Sequence, residues 1–493
     1  MKANRCYEEL VAALVFVFGL LPAGIGATPG PVWSYSLLEG SHLVDDCPPC
    51  GRPTIAQPMR GTFELRLVEE NPISTRYEVE RVAFTAGAIA GRTYTVTGRG
   101  TYIIGGEVAL VQTMFLEVYI DDGNTNRLCY FTNTTSTVSR RWPMLHIELD
   151  QTNGLFAQVY QLTLAAAPLR EIWFSTLNGF HSAKSQTNNA VSAGDLLSSS
   201  GRIVKRNSQL TASLPMPSVQ DIGLDALDVL PGGEIVLSSA AGAAQLRHGD
   251  LLFSRSGTVL PNEMLLMPIT GVSPGRDLGL DAVQVMPQGQ FYFSVQSNHI
   301  IVNDPQPVIM IRRGDLLFSD LTLEEGRVAK RNSELLARFH PSMANPDLGL
   351  DAFYLWSSGE IWFSLEDGFQ DQQFGPIQPG DLLSDDGYVV YRNLELLSPF
   401  APIEDLADFG LDALFVVTDA APAAPAARFT SIQRERTNAF VHLEWEGTGR
   451  VFQVQRALHV AAPYTPMSPL TPDLRFDDAD TTANQSFYRL QQW

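Results

Sequence analysis

The sequence predicts an all-β protein of several domains: a β-sandwich-like domain, a four-unit β-propeller-like array and a small C-terminal β-module. Three observations predict it. Apolar and polar residues alternate at period 2 through much of the chain. Gly (39) and Pro (31) are frequent enough to separate many short strands by turns. One compound motif recurs four times between residues 167 and 419.

Residues 1–27 read as a secretory signal peptide. Lys2 and Arg5 precede an apolar run from Leu10 to Leu21, and small residues lead to a cut after Ala27. The protein is therefore expected to be secreted or extracellular, with the cell surface and the periplasm as further locations and an uncleaved membrane anchor as the alternative reading of residues 1–27. No later run is long enough to span a membrane once the signal is removed. With 54 Asp and Glu against 34 Lys and Arg the net charge is −20, which argues against nucleic acid as a partner. An apolar share of 45% excludes global disorder.

Residues 28–60 are rich in Pro and Gly and read as an irregular lead-in. They contain Cys47-Pro-Pro-Cys50. That spacing fits a redox motif or half a zinc site, but no second CxxC and no βαβ context accompany it. In an oxidising compartment a bond from one of the pair to Cys129 is the plainer expectation.

From 61 to 166 the alternation is strong. Phe63, Leu65 and Leu67 alternate, as do Met114, Leu116, Val118 and Ile120, and then Leu145, Ile147 and Leu149. Turns at Gly105-Gly106 and Asp122-Gly123 separate the runs, so an antiparallel sandwich or barrel is expected.

Residues 167–419 carry the repeat. The block DxGLDA begins at Asp221, Asp277, Asp347 and Asp408. GDLL begins at Gly194, Gly249, Gly314 and Gly380. A strand block ending in Ser begins at Glu171, Glu234, Gln290 and Glu360, and an Asn follows each GDLL at Asn207, Asn262, Asn332 and Asn393. Each unit reads as four strands, with the Asn expected to cap a short helical turn. One such sheet cannot bury both faces, whereas four packed radially can. The array opens on a second strand (Glu171–Ser175) and ends on a first strand (Leu411–Val417), so the last strand is expected to complete the first blade. Tyr160–Ala167 competes for that slot, and an open stack of hairpins is the architectural alternative. Residues 420–427 form an Ala/Pro linker. Residues 428–493 alternate again, through Val441, Leu443 and Trp445 and then Phe452 and Val454.

Three resemblances follow from these residues. The tail, with Trp445 as core aromatic and Phe487-Tyr488-Arg489-Leu490 as a late strand, resembles a fibronectin type III-like module. The repeats as a whole resemble those of uncharacterised secreted bacterial proteins. Locally, Asp351–Ser364 (DAFYLWSSGEIWFS) is similar to the repeat of hemopexin-like four-bladed propellers. The match covers about 15 residues per unit, and the GDLL-to-Asn half departs from that pattern. The resemblance implies four blades around a tunnel that often holds an ion, and no enzymatic activity.

The second Asp of each DxGLDA starts a first strand, and first strands line a propeller's tunnel. Four-fold symmetry would bring Asp225, Asp281, Asp351 and Asp412 to one axis. Clustered carboxylates repel, which raises pKa values or demands a cation. Ca²⁺ suits a ring of oxygens, while the plainer reading has each Asp satisfy its own backbone. The first Asp is expected to form an Asx-turn, and the Gly to take a conformation closed to other residues. Trp173, Tyr292 and Trp362 hold equivalent positions and serve either as sugar platforms or as core. No nucleophile elbow, HExxH, phosphate loop or dinucleotide fingerprint occurs. The expected function is non-catalytic binding of an extracellular or cell-surface ligand, a glycan or a protein. A polysaccharide-acting hydrolase and a structural envelope component are the alternatives.

Overall fold

In a computed structural model the described residues are 30–493 except 52–53, 88–90, 156, 185–188, 215–220, 241–245, 272–275, 302–308, 344–345, 422–424, 435–439 and 480–484. The expected signal peptide lies outside them. Within them the protein is all-β, with a few short helical turns.

The first domain uses ten strands: β1 (Val32–Leu37), β2 (His42–Asp46), β3 (Ala56–Glu70), β4 (Ser74–Gly87), β5 (Thr93–Gly105), β6 (Val111–Asp121), β7 (Asn126–Thr132), β8 (Ser136–Thr137), β9 (Leu145–Gln151) and β10 (Val159–Ala167). β3 to β7 follow one another as antiparallel neighbours, β7 pairs β9, and β9 pairs β10. β1 and β2 together lie between β10 and β3, which closes the ladder into a ring. Full closure leaves no open edge along the ring. The inward residues Tyr35, Phe63, Phe84, Val96, Leu116, Phe131, Ile147 and Leu162 fill the interior.

Two expectations are corrected in this domain. The segment 28–60 is not irregular, because β1, β2 and the start of β3 belong to the sheet, with Tyr35 and Leu37 in the core. Their alternation is short and flanked by Pro and Gly, which hid it. Cys47 is bonded to Cys50, and Cys129 is a free buried thiol. Cys129 points into the packed interior from β7, whereas Cys47 and Cys50 lie in a 3₁₀ turn beyond the end of β2.

The repeats form four four-stranded antiparallel blades. Blade 1 orders Leu414–Val417, Glu171–Phe174, Leu196–Ser198 and Arg202–Lys205 from the axis outward. Blade 2 uses Leu227–Val229, Ile235–Leu237, Leu251–Phe253 and Val259–Leu260. Blade 3 uses Val283–Met286, Gln290–Phe293, Leu316–Asp320 and Glu325–Lys330, and blade 4 uses Phe353–Leu355, Ile361–Phe363, Leu382–Ser384 and Tyr388–Tyr391. The last strand pairs with the first, Leu414 opposite Phe174 and Val417 opposite Glu171. The competing segment stays in the first domain as β10. The innermost strands touch in cyclic order. Each junction between blades has its own apolar core. Trp173, Leu224 and Leu237 contribute to the core joining blades 1 and 2, and Val236, Leu280 and Phe293 to that joining blades 2 and 3. Each buried aliphatic or aromatic side chain contributes roughly 1.5–3 kcal/mol, so neighbours rather than single sheets hold the ring.

The tail folds as two three-stranded sheets over Leu443, Trp445, Phe452 and Val454. Asp419, just before the linker, joins all three parts. Its carboxylate accepts the Ser34 N–H of β1 (2.7 Å), Arg170 Nε of the propeller (2.8 Å) and the indole N–H of Trp493 in the tail (2.7 Å).

Candidate functional site

The repeated polar residues build two things: a staple between blades, and an acidic ring at the axis. In the staple, the GDLL Asp starts the helical turn. Asp195, Asp250 and Asp381 accept the backbone N–H of Asn207, Asn262 and Asn393 at 2.9, 3.2 and 2.9 Å. The Asn side chain is then free for a task other than the expected capping. Asn262, Asn332 and Asn393 accept the N–H of Leu278, Leu348 and Phe409 (3.3, 3.0 and 2.9 Å) and donate to the carbonyls of Gly279, Gly349 and Gly410. Each thus grips the DxG loop that leads into the next blade.

The first Asp of DxGLDA makes the expected Asx-turn. Asp221, Asp277 and Asp408 accept from the Gly two residues on, and those glycines have φ of +69°, +79° and +77°. The carboxylates of Asp277, Asp347 and Asp408 also accept the N–H of Gly249, Gly314 and Gly380 in the preceding blade. A Cβ on Gly249 would lie 2.0 Å from Asp277 Oδ1, so this glycine is required by close approach.

The second Asp enters the ring. Ser175, Ser238, Ser294 and Ser364, which end the strand blocks, donate to the carbonyls of Leu224, Leu280, Leu350 and Leu411, each in the next blade (2.6, 2.6, 2.8 and 2.8 Å). These four bonds run round the circle and seat the residue after each Leu: Asp225, Asp281, Asp351 and Asp412. Asp225, Asp281 and Asp412 are buried, and Asp351 is half-buried. Burial pushes all four carboxyl groups up, Asp225 to about 7, and the negative charges of their neighbours in the ring push Asp281, Asp351 and Asp412 further. Asp281 Oδ2 and Asp412 Oδ1 are buried without a hydrogen-bond partner.

Two further side chains complete the ring. Gln296 Nε2 donates to Asp225 Oδ2 at 2.7 Å. Glu366 raises the pKa of Asp225, Asp281 and Asp351 by its charge, and is itself pushed up by burial and held by Arg313. Gln296 and Glu366 stand two residues beyond the Ser of their strand blocks, where the other blades have Leu177 and Ala240. Aligning the repeats one step further would have found them.

Three residues along each inner strand, on the order of 10 Å away, the equivalent positions are Asp228, Gln284, Tyr354 and Phe415. Asp228 accepts the N–H of Val285, Gln284 exchanges hydrogen bonds with the Leu355 backbone, and Tyr354 meets Phe415 edge-on. Arg450 of the tail reaches this level, donating to Asp228 Oδ1 (3.2 Å) and to the carbonyl of Val285 (3.4 Å). The charge of Arg450 lies at this tail-facing level, while the Asp ring at the strand heads includes carboxylate oxygens without partners. No sequence motif marks Arg450.

The carboxylates of the ring offer only oxygens, a set that suits a hard cation. Among the described residues no three His, Cys, Asp or Glu side chains converge as a metal-ligand set, so the ring gathers charge without forming a tight carboxylate cage. Trp173 and Trp362 are fully buried, their indoles donating to Glu171 and Glu360, and Tyr292 is half-buried beside Phe318. They are core, not sugar platforms.

No family model matches the chain, and no curated protein matches it. Among solved structures, it is similar to the extracellular domain of BT4673, a protein ascribed to a hybrid two-component system of B. thetaiotaomicron. The identity is 10%, 90% of this chain and 74% of that one are covered, and the TM-score is 0.22, too low to carry an argument. No helix among the described residues is long and apolar enough to cross a membrane.

Proposed function

We propose that the protein is an exported, non-catalytic binding protein whose propeller offers an axial acidic mouth to a cation. The observation that carries this reading is the pair of buried carboxylate oxygens without partners, Asp281 Oδ2 and Asp412 Oδ1, in a ring with Asp225 and Asp351. Desolvated like charges are costly unless protonated or neutralised. A divalent cation, Ca²⁺ first, is the neutralising group that a ring of carboxylates favours, drawn to the shared charge of Asp225, Asp281, Asp351 and Asp412 rather than caged by all four at once. The local resemblance to hemopexin-like blades and that of the tail to a fibronectin type III-like module support an interaction scaffold. Its larger partner is read as an extracellular or cell-surface glycan or protein.

Calorimetric titration of the full chain with Ca²⁺ at pH 8 tests the cation. Saturable binding that the Asp281→Asn and Asp412→Asn variants weaken supports the reading, and no heat at any concentration removes it. Glycan and matrix arrays, with turnover followed in parallel, test the partner. Hydrolysis lost on changing one unrepeated acid would favour an enzyme instead.

A further inference from the structure

Cys47 and Cys50 pair with each other rather than with Cys129, and this changes what the bond does. A disulfide braces a fold by restricting the unfolded chain, and its effect shrinks with the loop it closes. Here the sequence separation is only 3, and the bond joins no two strands. The short turn is already held by other contacts. Cys50 N–H donates to the carbonyl of Cys47 (3.0 Å), Cys47 N–H to Asp46 Oδ1 (2.8 Å), and the Thr54 hydroxyl to the same oxygen (3.1 Å). The two cysteines also differ in access: Cys47 is 4% exposed, while Cys50 lies in the exposed part of the turn. Cys129 is buried and its thiol is pushed up by burial, so it is a poor internal nucleophile that leaves the pair undisturbed.

We propose that Cys47-Pro-Pro-Cys50 is a thiol–disulfide exchange site that accepts electrons from a dithiol, small or carried on a protein, with Cys50 as the sulfur attacked. One thiolate of the dithiol attacks Cys50 Sγ. A bond forms between those two sulfurs, the Cys47–Cys50 bond breaks, and its electron pair leaves on Cys47, which takes a proton from solvent. The second thiol of the dithiol, deprotonated, attacks its own partner sulfur in the mixed disulfide and expels Cys50 as a thiolate. The dithiol ends as a disulfide, and the pair has gained two electrons. The site is separate from the axial ring and does not rest on it.

The test uses the full chain with millimolar dithiothreitol and, separately, a peptide bearing two cysteines. The expected result is that both reduce the pair, that Cys50 becomes alkylatable in the folded protein well before Cys47 while Cys129 stays hidden, and that the melting profile is unchanged. The Cys47→Ser variant should trap glutathione at Cys50, and the Cys50→Ser variant should trap little at Cys47. A pair that resists reduction in the folded protein, equal trapping by both variants, or unfolding of the first domain on reduction would each overturn the proposal. Reduction by dithiothreitol alone would overturn the protein-borne source and leave a small dithiol.

Discussion

The hydroxyl of Ser364, in blade 4, donates at 2.8 Å to the carbonyl of Leu411, at the head of the strand that re-enters blade 1. It is the fourth of four equivalent bonds and the one that makes the set a circle. Replacing Ser364 with Ala leaves a buried carbonyl without its partner, which costs about 1–3 kcal/mol. Denaturant unfolding should show that loss. The same change at Ser238, inside the array, should cost a similar amount, because a closed ring has no weaker seam.

The staple should be the more sensitive feature. Asn393 is buried and bonds both the N–H of Phe409 and the carbonyl of Gly410. Asn393→Ala removes both partners at once and should cost roughly 2–4 kcal/mol. Limited proteolysis of this variant should cut first near residues 403–410, where the loop loses its hold.

The acidic ring makes stability depend on pH in an unusual direction. An unfolded Asp ionises near 3.8, whereas burial pushes folded Asp225 up to about 7. Between those values the native state binds more protons than the unfolded chain, so stability falls as pH rises. Below the lower value both states are protonated and the penalty vanishes. Above about 7 it is fully present, on the order of 4 kcal/mol for this group. In chelator, the propeller's melting temperature should therefore fall from pH 5 to pH 8, and added Ca²⁺ should restore it most at pH 8. A midpoint that rises over this range in chelator would count against the ring.

Asp419 should act on arrangement more than on the stability of any one part. Its carboxylate is the shared acceptor for Ser34, Arg170 and Trp493. Asp419→Ala should leave each unit folded but loosen their mutual positions, seen as a larger radius of gyration by X-ray scattering.

Repetition made the propeller legible. A position occurring four times at nearly constant spacing carries signal that one copy would not, and the strand phase makes Leu414–Val417 a candidate for blade 1, with Tyr160–Ala167 as the competitor that the pairing then excludes. The same signal found Asp225, Asp281, Asp351 and Asp412. What lacked repetition was invisible: Arg450 reaches the axis from another module, and Glu366 occupies a position where blades 1 and 2 carry Leu177 and Ala240. The Asn residues are legible in the sequence but their task is not, because a preference for helix starts is local whereas their partners lie 16–17 residues away in the next blade. The first domain's alternation is plain in the sequence, but the closing role of β1 and β2 depends on pairing with β10, more than 100 residues on, which no local pattern encodes.

Thermal unfolding of Asp281→Asn beside the wild type, at pH 8 in chelator, weighs most directly whether four blades bring their carboxylates into mutual repulsion. The ring predicts that the amide variant melts higher than the wild type and responds less to added Ca²⁺. A variant that melts lower, with an undiminished response to Ca²⁺, would contradict it.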